Sequence, residues 1–311
     1  MNNPKVSVII NCFNGQEHLK EAIDSVYAQD FDDWEIIFYD NASTDRSAEI
    51  ASMYDEKLHY FKRENNVSLG EARKDAIRLA KGEWIAFLDT DDKWLPNKLS
   101  LQILAVDGSE FVLTYGGVSE IDDRGKLIRD VLPAHSSGYI FPQLLIDFDI
   151  NMVTPLINRK FLIDNNLSFE PVIVASEEYN LFMRIAAKGK IHCASDVLGY
   201  YRVSDNSLTN KSISKWSFER EYTLKQLVQE NPGIDIEYPL EFESAKDRAV
   251  YYEARYHMYR DDSSKASDCM SNIKNKSKVY YVLWLLSHIP YCWKLVHSNF
   301  FKRKMIKLFV R

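Results

Sequence analysis

The 311-residue sequence lacks several patterns that would assign it quickly to a class of protein. Its four cysteines are far apart and form no Cys-x-x-Cys pair, so we expect reduced thiols in the cytoplasm, without a zinc site or disulfide framework. No Gly-x-Gly-x-x-Gly follows the first predicted strand and no P-loop sequence occurs, which argues against a dinucleotide or P-loop enzyme. The net charge of −6 gives no indication of nucleic-acid binding.

A signal peptide is not predicted, because the start, MNNPKVSVIINCFN, has neither a basic beginning nor a long apolar stretch. The composition, 46% hydrophobic and 13% aromatic, is sufficient for a real core in one large or two ordinary domains. We expect a helical region at residues 211–311 to follow a first domain at residues 1–210.

Acidic residues are absent from residues 269–311, a segment with nine Lys or Arg. It therefore carries +9 and leaves −15 on the rest of the chain. Within it, residues 279–296 approach the length of a membrane span, but His288, Pro290 and Lys294 interrupt them. Basic flanks with interleaved Trp and Tyr predict a helix lying on an anionic membrane surface, peripheral to the inner face of the cell membrane. A helix packed on the rest of the protein is the alternative.

Strand-like and helix-like segments alternate through the first 116 residues, which predicts an α/β fold. Continuous apolar strands separated by amphipathic helices indicate a parallel sheet with helices on both faces. The predicted strands are residues 5–11, 34–40, 58–62, 84–88 and 111–116. Ligands of such sheets bind beyond the carboxyl ends of the strands, and Asp40 and Asp89 both lie where a strand ends.

Three carboxylates occur within four residues at Asp89, Asp91 and Asp92, directly after the fourth strand. Their repulsion raises their pKa values and would be relieved by a cation, and oxygen ligands suit Mg²⁺ or Mn²⁺. A solvated acidic turn that caps the next helix is the alternative. An aspartyl-phosphate phosphatase would also use such a cluster, but Lys93 stands where that class has Thr or Val.

Five stretches, in order, resemble the family-2 inverting glycosyltransferases of the GT-A fold over about residues 5–208. They are VSVIINCFN, EIIFYDNASTDRS, NNVSLGEARKDAIRLAKGEWIAFLDTDD, EEYNLFMRIAAKG and YYRVS. The resemblance implies a GT-A Rossmann-like, mostly parallel sheet flanked by helices. Ala42 stands where the family has a turn glycine, so we expect this turn to avoid positive φ.

The resemblance also implies roles for the residues that bind the donor. Asp40 would accept hydrogen bonds from uracil or ribose, Phe13 would pack on the base, and Arg73 would approach the base or the diphosphate. Arg202 would meet the departing diphosphate. A core aromatic for Phe13, a solvated helix residue for Arg73 and a surface ion pair for Arg202 remain the alternatives.

For the chemistry, the resemblance implies that Asp89 and Asp91 hold ribose and metal and that Asp92 positions a water or the sugar. Glu178 would be the catalytic base with Glu177 in support, although a first-turn glutamate merely favoured by the helix dipole is the alternative.

The implied activity is transfer of a hexose or N-acetylhexosamine from its UDP-sugar to a hydroxyl of a glycan or lipid-linked acceptor, in surface-polysaccharide synthesis. Mn²⁺ or Mg²⁺ would be the cofactor. The rival functions are the phosphatase and a non-catalytic nucleotide-sugar-binding module.

Overall fold

The computed structural model describes residues 3–203, 212–273 and 277–297. The chain divides into two compact units, Met1–Ser207 and Leu208–Arg311. The predicted domain boundary at residues 210 and 211 lies outside the described residues, and so do Lys274, Lys276 and the basic residues from Lys302 onward.

The first unit is built on one nine-stranded sheet with the order β3-β2-β1-β4-β8-β6-β9-β5, and β7 pairs with β6. Strands β1, β2, β3 and β4 pair in parallel, and all residues of β1, β2 and β4 are buried, as expected for strands covered on both faces. The strands are β1 Val6–Cys12, β2 Trp34–Asp40, β3 Leu58–Lys62, β4 Trp84–Phe87, β5 Lys93–Trp94, β6 Phe111–Ile121, β7 Leu127–Val131, β8 Leu156–Asn158 and β9 Lys190–Arg202.

Helices cover both faces of this sheet. On one face, Val8 and Ile10 of β1 pack with Leu19 and Ile23 of the first helix. On the other face, the Tyr39 hydroxyl of β2 donates a 3.2 Å hydrogen bond to Asp75 of the third helix. The helices of this unit are α1 Leu19–Tyr27, α2 Ser47–Ala51, α3 Leu69–Leu79, α4 Lys98–Val106, α5 Phe141–Ile146, α6 Arg159–Asp164 and α7 Glu177–Ala186.

The α/β class with flanking helices is confirmed, but the sheet is more mixed than the mostly parallel one that we predicted. Strand β8 runs antiparallel to both β4 and β6, and β5 and β7 are also antiparallel to their partners. Residues 119–149, in which the sequence shows no clear pattern, contain the end of β6, all of β7 and α5.

The described part of the second unit is helical, as predicted. Its core contains Ala254, Met258, Ala266, Met270 and Trp293. None of the helices within the described ranges is long and apolar enough to cross a membrane. They are α8 Trp216–Glu230, α9 Ile234–Glu237, α10 Pro239–Tyr259, α11 Ser263–Ser271, α12 Lys278–Ser287 and α13 Pro290–His297.

The turn after β2 corrects one expectation, because Ala42 has a φ of 67°. Hydrogen bonds on both sides hold this conformation: the Ser43 N–H donates to Asp40 Oδ1 at 2.7 Å and the Thr44 N–H donates to Asn14 Oδ1 at 2.9 Å. The turn therefore keeps the left-handed backbone of a glycine turn, although alanine is strained there.

We expect Ala42→Gly to stabilise the protein by about 1 kcal/mol, because glycine adopts this φ without a steric penalty. Ala48→Gly in the neighbouring helix α2 is the matched control, and it should destabilise by about 0.5–1 kcal/mol. Urea unfolding of both variants measures the difference, and destabilisation by both would show that the turn at Ala42 is unstrained.

Candidate functional site

The loops after β1 and β2 are joined at the carboxyl edge of the sheet. The Asn14 N–H donates to Ser43 Oγ at 3.0 Å, and the Gly15 N–H donates to Ser47 Oγ at 3.1 Å. Gly15 also faces the acidic turn after β4, since a Cβ on it would lie 2.7 Å from Thr90 Oγ1. The three loops that end at this edge are therefore in close contact.

The acidic turn, Asp89 to Asp92, is held by the end of β9. The Arg202 N–H donates to Asp92 Oδ1 at 2.8 Å, and Arg202 Nε donates to the Asp91 carbonyl at 2.9 Å. The turn caps no helix, because β5 follows it and Asn97 is the N-cap residue of α4. The alternative of an acidic helix cap is therefore wrong.

Both carboxyls that follow Thr90 resist ionisation. Burial, followed by the charges of Asp91 and Asp89, raises the pKa of Asp92 well above its usual range. Asp91 retains exposed surface, yet partial burial of its carboxyl and the charge of Asp89 raise its pKa. A divalent cation would relieve this repulsion, so the oxygen ligands of the turn fit Mg²⁺ or Mn²⁺.

A buried ion-pair bridge connects the acidic turn with helix α7. Arg73 of α3 donates from Nη2 to Asp89 Oδ1 at 2.7 Å and from Nη1 to Glu177 Oε1 at 2.9 Å. Its guanidinium also lies 5.7 Å from the ring centre of Phe169. Burial disfavours the charged guanidinium, but Asp89 and Glu177 more than offset this and raise the pKa of Arg73. Arg73 thus fixes the distance between the turn and the start of α7.

Glu178, the predicted base, lies in the first turn of α7 beside this bridge. Burial and the charge of Glu177 raise the pKa of Glu178 to about 8, although Arg73 acts in the opposite direction. A carboxyl with such a pKa is suited to take up a proton near neutral pH, and perturbed values of this kind cluster at functional sites.

Tyr201, which was not among the predicted site residues, lies among them in the structure. Burial raises the pKa of its hydroxyl, and so do the charges of Asp92, Asp91, Asp89 and Glu178. The acidic turn and the start of α7 therefore converge near one tyrosine of β9. The sequence shows Tyr201 beside the predicted site residue Arg202, in YYRVS. Neighbouring side chains of a strand point to opposite faces, however, so this position did not indicate that Tyr201 belongs to the site.

Asn11 is a second residue of this region that was not predicted as a site residue. It lies near the carboxyl end of β1, paired with Tyr39 of β2. Its side chain is buried, and neither amide atom has a hydrogen-bond partner within the described part of the chain. A buried polar side chain normally has a hydrogen-bond partner, and a bound ligand is one group that supplies such a partner.

Arg202 is buried, and its guanidinium is engaged inside the protein. Besides the Asp91 carbonyl, it contacts the carbonyls of Asp122 at 3.2 Å and Asp123 at 3.1 Å and the carboxylate of Glu21 at 3.4 Å. These contacts engage all three nitrogens of the guanidinium. Its role at the diphosphate stays a prediction, whereas its contacts show that it supports the acidic turn.

Asp40 and Phe13 differ sharply in their accessibility. Asp40 has no exposed surface, and its two oxygens accept hydrogen bonds from the Ser43 N–H at 2.7 Å and the Tyr60 hydroxyl at 2.6 Å. Contact with a nucleoside would require one of these donors to give way. Phe13 is 53% exposed directly after β1 and is available for stacking. Both donor-binding roles stay predictions.

The sheet, its helices and the carboxylates at its edge define an α/β protein of the GT-A glycosyltransferase fold. Residues 7–169 match the family described as Glycosyl transferase family 2, and the chain belongs to that family.

Two curated relatives illustrate the range of the family. An uncharacterized glycosyltransferase of Rickettsia felis is 32% identical over 219 residues, which cover 70% of this chain and 36% of that protein. The chain thus spans about a third of the length of this longer relative. The UDP-Glc:alpha-D-GlcNAc-diphosphoundecaprenol beta-1,3-glucosyltransferase WfgD of Escherichia coli is 26% identical over 245 residues, 78% of this chain and 93% of WfgD.

Solved structures agree on the fold. TarS of S. aureus, residues 1–349 in complex with UDP-GlcNAc, superposes with a TM-score of 0.62 and 16% identity, covering 95% of this chain and 91% of that one. The mannosyltransferase PcManGT of Pyrobaculum calidifontis, in complex with GDP-Man and Mn²⁺, gives a TM-score of 0.54 and 14% identity, covering 95% and 87%.

We expect Arg73→Met to destabilise the protein by about 3–5 kcal/mol, because it leaves the buried carboxylate of Glu177 without its cation. The double variant Arg73→Met with Glu177→Gln should recover part of this loss, because the uncompensated charge is removed. Urea unfolding measures both variants.

Arg46→Met is the matched control, since the Arg46–Glu49 pair at 2.9 Å is exposed and such pairs contribute about 0–1 kcal/mol. Equal losses for Arg73→Met and Arg46→Met would contradict a structural role for the buried bridge.

Proposed function

We propose that the protein is a metal-dependent inverting glycosyltransferase that uses a nucleotide-diphosphate sugar. The observation that carries this proposal is the convergence of the acidic turn and Glu178 near Tyr201, with Arg73 bridging Asp89 and Glu177. A metal-holding turn and a base with a raised pKa are the two parts that such a transfer requires.

The donor is a UDP-hexose or a UDP-N-acetylhexosamine. Support comes from TarS, whose structure contains UDP-GlcNAc, and from WfgD, whose name gives UDP-Glc as donor. In this chain the exposed ring of Phe13 stacks on the base, and the buried amide of Asn11 supplies a donor and an acceptor for the nucleoside. Asp40 contacts the nucleoside only if Tyr60 releases it.

The divalent cation, Mn²⁺ or Mg²⁺, would be held by Asp91 and Asp89, with Asp92 behind them at the sugar or a water. When bound, it supplies positive charge against the leaving diphosphate. Arg73 keeps Asp89 oriented, and Arg202 holds the backbone of the turn through the Asp91 carbonyl. PcManGT, which shares the fold, contains Mn²⁺ in its structure.

The base is Glu178, which takes the proton of the attacking hydroxyl. The acceptor oxygen forms a bond to the anomeric carbon, the bond from that carbon to the diphosphate oxygen breaks, and the configuration inverts in this single displacement. Glu177 does not compete for the proton, because its carboxylate is paired with Arg73 at 2.9 Å. Neighbouring residues at the start of a helix also point about 100° apart.

The acceptor is a hydroxyl of a glycan or of a lipid-linked sugar in surface-polysaccharide synthesis, and the enzyme acts at the cytoplasmic face of a membrane. The name of WfgD, which gives a sugar linked to diphosphoundecaprenol as its substrate, supports this acceptor class. An aspartyl-phosphate phosphatase is disfavoured, since its nucleophile would be Asp89, which is engaged by Arg73 at 2.7 Å.

We expect Asp91→Asn to abolish nucleotide-sugar turnover, because it keeps the size of the side chain but removes a charged metal ligand. Added Mn²⁺ should not restore the activity, whereas EDTA should abolish that of the wild type. Turnover of UDP-sugars with a lipid-linked acceptor is the measurement.

Another Asp-x-Asp of the chain, at Asp147 and Asp149, offers the matched control, since Asp147 is exposed at the end of helix α5 and does not follow a strand. Asp147→Asn should leave turnover unchanged. Full wild-type activity in EDTA would show that the acidic turn serves no metal.

We expect Glu178→Gln to lower kcat by about 10²–10⁴-fold with unchanged donor binding, because glutamine keeps the shape but cannot take the proton. Glu177→Gln should have the smaller effect on kcat and the larger effect on stability, because it breaks the pair with Arg73. Turnover by Glu178→Gln at the wild-type rate would contradict the assignment of the base.

The pH dependence of the protein's stability provides a second test, of the raised pKa of Glu178. An unfolded glutamate titrates near its ordinary value of 4.5, whereas Glu178 in the folded protein keeps its proton to about 8. The wild type therefore loses stability as the pH rises through this window, and Glu178→Gln lacks this loss. In EDTA, the thermal stability of the variant relative to the wild type should increase from pH 5 to pH 8.

A further inference from the structure

Helix α12 carries apolar side chains around nearly its whole circumference, and within the described part of the chain only some of them are covered. Tyr280, Leu283 and Trp284 pack on the core of the second unit. Outside this contact, Val279, Val282 and Leu285, spaced three residues apart, expose 68%, 50% and 44% of their surface. A helix that is apolar all round is normally buried in a core or a membrane, so the exposed apolar side chains of α12 indicate a binding partner.

More large apolar side chains are exposed on α12 and just after it. Tyr281 on α12, Ile289 before α13 and Tyr291 in α13 are all exposed. We call Val279, Tyr281, Val282, Leu285 and Ile289 the apolar face. A contiguous exposed patch of large apolar side chains marks an interaction site in a soluble protein.

The sequence segment that contains the apolar face carries charge of one sign. Lys278 is exposed at the start of α12, beside Val279. The sequence from residue 269 to residue 311 contains no acid and carries +9, whereas the rest of the chain carries −15. An anionic surface would therefore attract this segment and repel the rest of the protein, which favours contact through the apolar face.

We propose that the apolar face inserts into the interfacial region of an anionic lipid bilayer, to which the net positive charge of the same sequence segment attracts it. Apolar burial and attraction to anionic lipid together give the stable peripheral binding that either signal alone does not. Tyrosines at this depth place their rings in the apolar layer and their hydroxyls among the headgroups.

A second copy of the chain fits this surface poorly. Two segments of +9 would be brought together, and the segment offers no acidic side chain to pair with them. The proposal rests on the proposed function only for its purpose, which is to bring the enzyme to a lipid-linked acceptor. Lipid binding itself does not depend on whether transfer occurs.

The experiment is sedimentation of the full chain with vesicles of phosphatidylcholine alone or mixed with phosphatidylglycerol. The test variant carries V279S, V282S and L285S. The control variant carries L104S, I236S and L240S, three aliphatic side chains that are more exposed than those of the apolar face. Because all six side chains are exposed, both variants should unfold at the wild-type temperature.

We expect the wild type and the control to bind the mixed vesicles, and the test variant to bind about tenfold more weakly or worse. Binding to phosphatidylcholine alone should be weak for all three proteins, because the basic residues then find no anionic headgroups. Donor binding should be equal in all three, so loss of lipid binding is separable from any failure of the transferase proposal.

Equal sedimentation of the wild type and the test variant would overturn the proposal, because the basic residues alone would then carry the binding. Failure of the wild type to bind mixed vesicles would also overturn it. So would a dimer of the wild type that the test variant loses in size-exclusion chromatography with light scattering, since the apolar face would then be a contact between copies.

Discussion

The candidate site depends on one buried cation. Arg73 has almost no contact with solvent, and burial of a guanidinium is tolerated only when opposite charges accompany it. Its two partners come from distant parts of the chain, Asp89 after β4 and Glu177 at the start of α7. The planar fork of arginine joins both at once, which a lysine would not do with the same geometry. The position of Glu178 therefore follows from the charge requirement of Arg73.

This arrangement also explains why neighbouring glutamates differ. Glu177 is fixed as an anion by Arg73, and its charge helps to raise the pKa of Glu178 to about 8. A base with an ordinary pKa would be a weaker proton acceptor, and one that was itself paired with the cation would not accept the proton at all. In the mechanism that we propose, the ion pair thus prepares Glu178 for proton transfer.

Much of the first unit could be predicted, because its first four strands are apolar or β-rich segments that alternate with helical patterns. The predicted strands at residues 34–40 and 58–62 coincide with β2 and β3. The end of the predicted strand at residues 84–88 placed the acidic turn at the carboxyl edge of the sheet, where β4 ends at Phe87. The family resemblance, now confirmed, placed Glu178 at the start of a helix.

The remaining features depend on contacts between distant residues. Strand β8 has only three residues, too few for a pattern, and its direction follows from its neighbours β4 and β6. The charges that surround Tyr201 come from the acidic turn and α7, which no local spacing shows. The positive φ of Ala42 is imposed by hydrogen bonds to Asp40 and Asn14, against the preference of the residue itself.

The hydrogen bonds from Arg202 to the acidic turn have a consequence for how such chains can be divided or recombined. Arg202 is the last residue of β9, and the Val203 N–H still donates to the Ile121 carbonyl at 2.9 Å. A shortened protein that ended before Arg202 would lose the Arg202 N–H that donates to Asp92 Oδ1. It would also lose the guanidinium that donates to the Asp91 carbonyl. A catalytic unit exchanged between proteins with different C-terminal regions must therefore carry this strand to its end.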